Sequence, residues 1–338
     1  MSRRKNKRIV VSQFGGPEVL RVTEEDLPEP GLKEVRIKIL TAGVAWGDVL
    51  KRSRYSLGRR PPFTPGYDLV GRIDKVGSQV SSFNLGQMVA AFPLFGGYTE
   101  HICLSETEVI PVPPGIDPAK AVCLIMNYIV AYQLLHRAAH VTPGERILIH
   151  GAAGGVGTAL VQMGLLHNLE LYGTASKAKH GFLSQFPLVP IDYKTEDFRG
   201  RIKSLTGDGV DVVFDPIGGN QVRKSYQSLR SGGRLVLYGV HNILAEGMYG
   251  SISPMIFSAF KNCIPDGRSL QLYNVMRPKY SKRVWCREDL AKIFGLYREG
   301  EIDPVIAECI PLSEASRAHK LLESGQTIGK IVLTAGGS

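Results

Sequence analysis

The stretch Ile147-Leu148-Ile149-His150-Gly151-Ala152-Ala153-Gly154-Gly155-Val156-Gly157-Thr158 decides the fold. A short apolar strand runs into a glycine turn, and the turn opens a helix. A lone G-x-G-x-x-G would say little, but a turn between a buried strand and a helix is the context in which it signals dinucleotide binding. Gly154 lets the backbone approach a pyrophosphate, and Gly157 permits close helix–strand packing. The helix start at Gly155 and Val156 supplies unpaired N–H groups to the anion. The first glycine of the fingerprint is replaced by Ala152. Four glycines in the seven residues 151–157 nevertheless favour a ligand-binding turn over a simple tight one.

Outward from this turn the pattern alternates. Apolar strands are expected near 147–150, 170–175, 188–191, 210–214, 234–238 and 269–275, with helices near 157–167, 177–185, 196–205 and 220–229. Runs apolar on both faces, such as Val210–Phe214 and Leu235–Leu237, suit strands covered by helices on each side, giving a six-stranded doubly wound α/β sheet. Before about residue 120 the chain reads differently. Short strands, with alternation in Val35-x-Ile37-x-Ile39, are separated by glycine and proline turns, the pattern of a small β-barrel. After about 277 come a helix near 287–299, a strand near 305–310, a helix near 314–323 and a strand at 331–333. These are too few residues for a separate domain and are expected to return to the N-terminal unit. The domain expectation is therefore 1–124 with 277–338, and 125–276 between them.

The end of the second strand, Glu170-Leu-Tyr-Gly-Thr174-Ala-Ser176-Lys177-Ala-Lys179, chooses the cofactor. An NAD site places a carboxylate there for the ribose 2′-hydroxyl. This tip carries none. Thr174, Ser176 and Lys177 instead offer hydroxyls and an ammonium suited to a 2′-phosphate, which points to NADPH. The plainer reading of the lysines is a solvated helix face.

The chain of 338 residues is 43% hydrophobic and 21% charged, ordinary values for a soluble globular protein. Five cysteines, Cys103, Cys123, Cys263, Cys286 and Cys309, contain no C-x-x-C pair, so neither a disulfide scaffold nor a zinc finger fits. Net charge is +10, and five positive charges fall at Arg3, Arg4, Lys5, Lys7 and Arg8. No apolar run long enough for a secretory signal follows them, so a cytoplasmic location is the expectation. The basic N-terminus is read as a solvated tail, with a nucleic-acid or membrane contact as the alternative. The most apolar window, Leu124–Leu135, is shorter than a bilayer span and reads as a buried helix.

Several segments carry a resemblance. Gly43-Val44-Ala45-Trp46-Gly47-Asp48-Val49-Leu50, Pro65-Gly66-Tyr67-Asp68-Leu69-Val70-Gly71, the stretch from Val76 to Gly86, and Ala152–Gly157 resemble the zinc-independent quinone oxidoreductase branch of the medium-chain dehydrogenase/reductase superfamily. Met126–Tyr132, Gly173–Ser176, Pro190–Tyr193, Asp215–Gly219 and Tyr238–Asn242 look closest to its VAT-1-like subgroup. The resemblance implies a discontinuous GroES-like β-barrel catalytic domain plus a doubly wound Rossmann domain that binds the cofactor. It also implies a homodimer, with Ser269–Met276 continuing the sheet into the partner. Zinc-dependent relatives place cysteine at Ala45 and histidine at Tyr67, and carry a four-cysteine lobe after Phe92 for which Phe92–Tyr98 leaves no room. No metal is expected. Asp48, Asp68, His101 and Cys103 read as turn, ladder and core residues rather than as a substitute ligand set.

Without a Lewis acid the chemistry suits a conjugated acceptor: hydride delivered to an enone or quinone leaves an oxygen anion that hydrogen-bond donors stabilise. The expected catalytic donors are Tyr55, near a tyrosine that lines the family's site, and Tyr67, at the former metal position. Asn127 is expected to contact nicotinamide or ribose; the resemblance implies that Tyr193 meets the 2′-phosphate region, its plain alternative being the cover of a strand end. Tyr238 and Gly239, at the carboxyl edge of the sheet, are expected beside the nicotinamide ribose. The leading reading is a small-molecule quinone or enone reductase using NADPH. An enoyl-thioester reductase and an NADPH-binding interaction protein with vestigial chemistry are the alternatives.

Overall fold

In the computed structural model, residues 5–53, 59–242, 266–274 and 283–335 are described. They pack as two units, 1–126 with 290–338, and 127–289. The second boundary lies beyond the 276/277 position suggested by the change of period. Asp289 sits in the second unit, where its carboxylate is gripped by the Arg137 guanidinium and by Gln133 Nε2 at 2.9 Å.

In the first unit β1 (Lys5–Val11) and β2 (Leu20–Asp26) form an antiparallel pair. The main sheet takes β3 (Glu34–Gly43), β4 (Leu69–Val76), β5 (Met88–Ala91), β6 (His101–Ser105) and β7 (Val109–Pro111) from the N-terminal part. It takes β14 (Ile306–Pro311) and β15 (Lys330–Thr334) from the C-terminal part. The order is β14-β15-β3-β4-β5-β7, with β6 also on β3. The alternation in β3 does what period two requires: Val35, Ile37 and Ile39 enter the core with Leu69, Ile73, Val89, Ile331 and Leu333. The return of the chain is thus concrete, because β15 runs antiparallel to β3 with Val332 opposite Gly43.

A 21-residue helix, Pro118–Ala138, follows. Asp117 caps it, accepting from Ala119 N at 2.9 Å and Lys120 N at 3.0 Å, and Pro118 occupies the first turn, where its missing N–H is harmless. The helix is longer than the apolar window marks and meets the length and composition of a membrane span. It is a core helix: 72% of its apolar window is buried inside the protein.

The second unit holds β8 (Arg146–His150), β9 (Glu170–Ala175), β10 (Leu188–Asp192), β11 (Val210–Asp215), β12 (Leu229–Leu237) and β13 (Ser269–Leu272). All pairings are parallel, in the order β10-β9-β8-β11-β12-β13. The order in which successive strands are added reverses between β8 and β11, and ligands of open α/β sheets bind at the carboxyl ends beside that point. β12 starts earlier than its apolar run, because Leu229 pairs with Val210 of β11 before a register shift over residues 230–233, where Gly232 sits at φ +76°. β13 is shorter than expected, ending at Leu272; positions 275 and 276 lie outside the described residues.

Candidate functional site

The glycine turn leaves β8 and enters the helix Gly155–Leu166. Gly154 N is used on Gly151 O at 2.9 Å, and Thr158 N begins the helical ladder on Gly154 O at 2.8 Å. Between them the N–H groups of Gly155, Val156 and Gly157 have no protein acceptor among the described residues, as a helix start requires. Neither a capping side chain nor an acidic residue in the first turn competes for that end. Three amides and the positive end of the helix dipole fit a pyrophosphate.

Gly157 has no alternative: a Cβ there would overlap Gly151 O and lie 2.8 Å from Ala152 Cα. Ala152, the departure from the fingerprint, is fully buried, and its methyl packs against the α-carbon of Gly173 on β9. The Asn127 amide lies directly against Gly155, so the structure brings that predicted residue to the turn.

At the β9 tip Ser176 is half-buried and Lys177 is exposed, and the Lys177 backbone N–H donates to the Asp192 carboxylate. Tyr193, 54% exposed, and Lys194 follow the adjacent β10. Burial, with repulsion from Lys194, pulls the Lys179 ammonium below the ordinary lysine value. Asp192, opposite Ala175, is a carboxylate that sequence reading passed over. It accepts from Lys194 N at 3.1 Å and the Thr195 hydroxyl at 2.9 Å, contacts that lower its pKa and commit it to the loop. Thr174 is placed differently from expectation. It is buried inside β9, its hydroxyl accepts from Gly151 N at 3.3 Å and lies 3.0 Å from His150 Nδ1, and it is not presented at the tip.

On the other side of the switch point, the loops after β11 and β12 are laced together. Tyr238 N donates to Asp215 O at 3.0 Å, His241 N to Pro216 O at 3.1 Å and Asn242 N to Ile217 O at 3.0 Å. Gly239 is required there, since a Cβ would lie 3.0 Å from the Pro216 carbonyl carbon and closer still to its oxygen. Burial, and then the Asp215 carboxylate, keeps the Tyr238 phenol protonated.

In the first unit, the helix Trp46–Arg52 places Ala45 at its N-cap, where a methyl offers no metal donor. The Tyr67 ring, in place of an imidazole, has the Lys51 ammonium 3.3 Å above its centroid and Phe92 at 6.1 Å. Burial, assisted by Asp48, pushes the Tyr67 phenol far above its ordinary value. A protonated phenol, a methyl group and an adjacent ammonium do not fit a catalytic zinc. Lys51 was not foreseen, because nothing in local spacing shows that its stem turns inward. Tyr55 lies outside the described residues.

Asp48 lies beneath this group, fully buried. It accepts from Gly66 N at 2.9 Å and Ala45 N at 3.2 Å. Burial dominates over the Lys51 charge and raises its pKa from 3.8 to about 6. The native state therefore holds a proton that the unfolded state has lost between those values, and stability falls as pH rises through that window. The shift corresponds to about 2–3 kcal/mol. Asp48→Asn is expected to flatten the urea midpoint between pH 4 and 6, where the wild type declines; parallel profiles would refute the assignment.

These features define a two-unit α/β protein whose second unit binds a dinucleotide. Residues 31–114 match the family described as "Alcohol dehydrogenase GroES-like domain", and residues 188–333 the family described as "Zinc-binding dehydrogenase". The rat quinone oxidoreductase is 30% identical over 338 residues, covering 97% of each chain. The human synaptic vesicle membrane protein VAT-1 homolog is 29% identical over 342 residues, covering 97% of this chain and 86% of that protein. The crystal structure of Escherichia coli quinone oxidoreductase complexed with NADPH superposes with a TM-score of 0.87 at 27% identity, covering 97% of this chain and 99% of that one. The chain belongs to the quinone oxidoreductase family of the medium-chain dehydrogenase/reductase superfamily and is an oxidoreductase.

Proposed function

We propose that this chain is an NADPH-dependent reductase of quinones or α,β-unsaturated carbonyls. The observation that carries the reading is the glycine turn with three unpartnered amides, flanked by a tip bearing Ser176, Lys177, Tyr193 and Lys194 and no uncommitted carboxylate. The amides of Gly155, Val156 and Gly157 would hold the pyrophosphate, and the tip residues the 2′-phosphate. Asn127 and the Tyr238–Gly239 backbone would hold the nicotinamide end. Bound NADPH supplies a hydride, and the acceptor takes up a proton as well, giving NADP⁺ and the reduced product.

The first unit supports an acceptor that needs no metal. Tyr67, kept protonated by burial, is assigned as the hydrogen-bond donor to the oxygen that becomes anionic. Lys51, over its ring, adds positive charge that favours the same anion. A homodimer through β13 belongs to this reading: among the described residues β13 is the edge of its sheet, and Leu272 is 49% exposed there.

NADPH oxidation measured against quinones, enones and enoyl thioesters tests the proposal. Turnover of quinones or enones is expected. Turnover confined to enoyl thioesters would replace the substrate class, and NADPH binding without turnover of any would favour an interaction protein.

A further inference from the structure

We propose that His150 is a positioning residue of the dinucleotide site, holding the glycine turn and the Asp215–Gly219 loop in fixed register through a one-way chain of buried hydrogen bonds. The inference rests on the reading that the second unit binds NADPH, but not on the identity of the acceptor.

His150 is the last residue of β8, 1% exposed, with Phe198 edge-on against its ring at 4.7 Å. Its Nδ1 is 3.0 Å from Thr174 Oγ1 and its Nε2 is 3.1 Å from Ser225 Oγ. The Ser225 hydroxyl donates to Asp215 Oδ2 at 2.7 Å. Having spent its only proton there, Ser225 must accept from His150, which fixes the imidazole proton on Nε2. Nδ1 is then bare and accepts from the Thr174 hydroxyl, whose oxygen accepts the Gly151 N–H. The far end is equally committed, since Asp215 Oδ1 accepts Ile217 N at 2.7 Å and Gly218 N at 3.1 Å. Burial lowers the imidazole pKa, in keeping with a neutral ring.

Every donor in this chain has one acceptor, so it has one arrangement rather than two. It begins at Gly151, where φ is +67°, and ends at Gly218, where φ is +73°. Those glycines open the loops on the two sides of the switch point, and a ligand spanning both needs them held together. Among the described residues, His150 is the side chain that joins Thr174, which holds Gly151 N, to Ser225, which holds Asp215. His150 therefore acts on the part of the ligand that crosses the switch point, and not on the adenosine end, which meets the β9 tip.

The test compares Kd values of the wild-type chain, His150→Phe and His150→Gln for two probes, NADPH and adenosine 2′-phosphate, by calorimetry. His150→Phe keeps the ring and loses both hydrogen bonds. It is expected to weaken NADPH about 10- to 100-fold and adenosine 2′-phosphate less than about 3-fold, with His150→Gln, which can donate and accept, recovering most of the loss. Ser225→Ala breaks the same chain with little change in packing and is expected to weaken NADPH about tenfold; it decides the matter if His150→Phe does not fold. Wild-type affinity for NADPH in these variants, or equal losses for both probes, overturns the positioning role alone. Failure of the wild type to bind NADPH overturns the site reading together with it.

Discussion

Gly157→Ala is expected to weaken NADPH binding about 1,000-fold. The new methyl would overlap the Gly151 carbonyl and crowd Ala152, and both obstacles are backbone, so no rotamer change relieves them. The turn or the helix start must move, and movement of several tenths of an ångström misaligns the three amides that meet the pyrophosphate. A hydrogen bond to a charged group contributes about 1.5–3 kcal/mol, so losing the alignment of two of them accounts for the expected factor. Overpacking adds about 1–3 kcal/mol of destabilisation, visible as a lowered urea midpoint. Gly181→Ala, where a Cβ meets nothing within 4 Å, is the control and should leave both properties unchanged. An affinity for NADPH within tenfold of wild type in Gly157→Ala would mean that the turn does not hold the pyrophosphate.

Lys177→Glu is expected to reverse the choice of coenzyme. Lys177 is exposed at the β9 tip, in the place where a carboxylate would select the ribose 2′-hydroxyl. The substitution removes an attraction to a 2′-phosphate and adds a repulsion, about 3–4 kcal/mol together at low ionic strength. NADPH should bind about 300-fold more weakly, while NADH changes little or gains. Because the site faces solvent, the discrimination should shrink as salt is added. Parallel losses for both coenzymes would place Lys177 outside the phosphate subsite and leave it as part of a solvated face.

The parts of the fold that were legible in the sequence are those written in neighbouring residues. The strand–turn–helix at 147–158 and the double-sided apolar runs of the second unit depend on periods of two and 3.6 and on local glycine chemistry. What was not legible depends on residues far apart. Thr174 looked like a tip hydroxyl because it is near Ser176 in sequence, but its orientation in β9 is set by His150, 24 positions earlier. The partnership of His150 with Ser225 spans 75 positions, and no spacing rule announces it. Asp192 is not marked by local sequence because it ends the strand next to the tip, and only the parallel register brings it opposite Ala175. Lys51 carries no local signal because a lysine on a short helix is ordinarily solvated, whereas here its ammonium finds the Leu94 carbonyl and the Tyr67 ring. The resemblance supplied the two-unit plan, and strand pairing between β15 and β3 gave it physical form.

The most direct measurement is a calorimetric titration of the purified 338-residue chain with NADPH and, separately, with NADH. Saturable binding of NADPH, at least about tenfold tighter than NADH, is the predicted result. No saturation with NADPH, or an affinity for NADH equal to or greater than that for NADPH, would contradict the assignment of the glycine turn and the Lys177 tip.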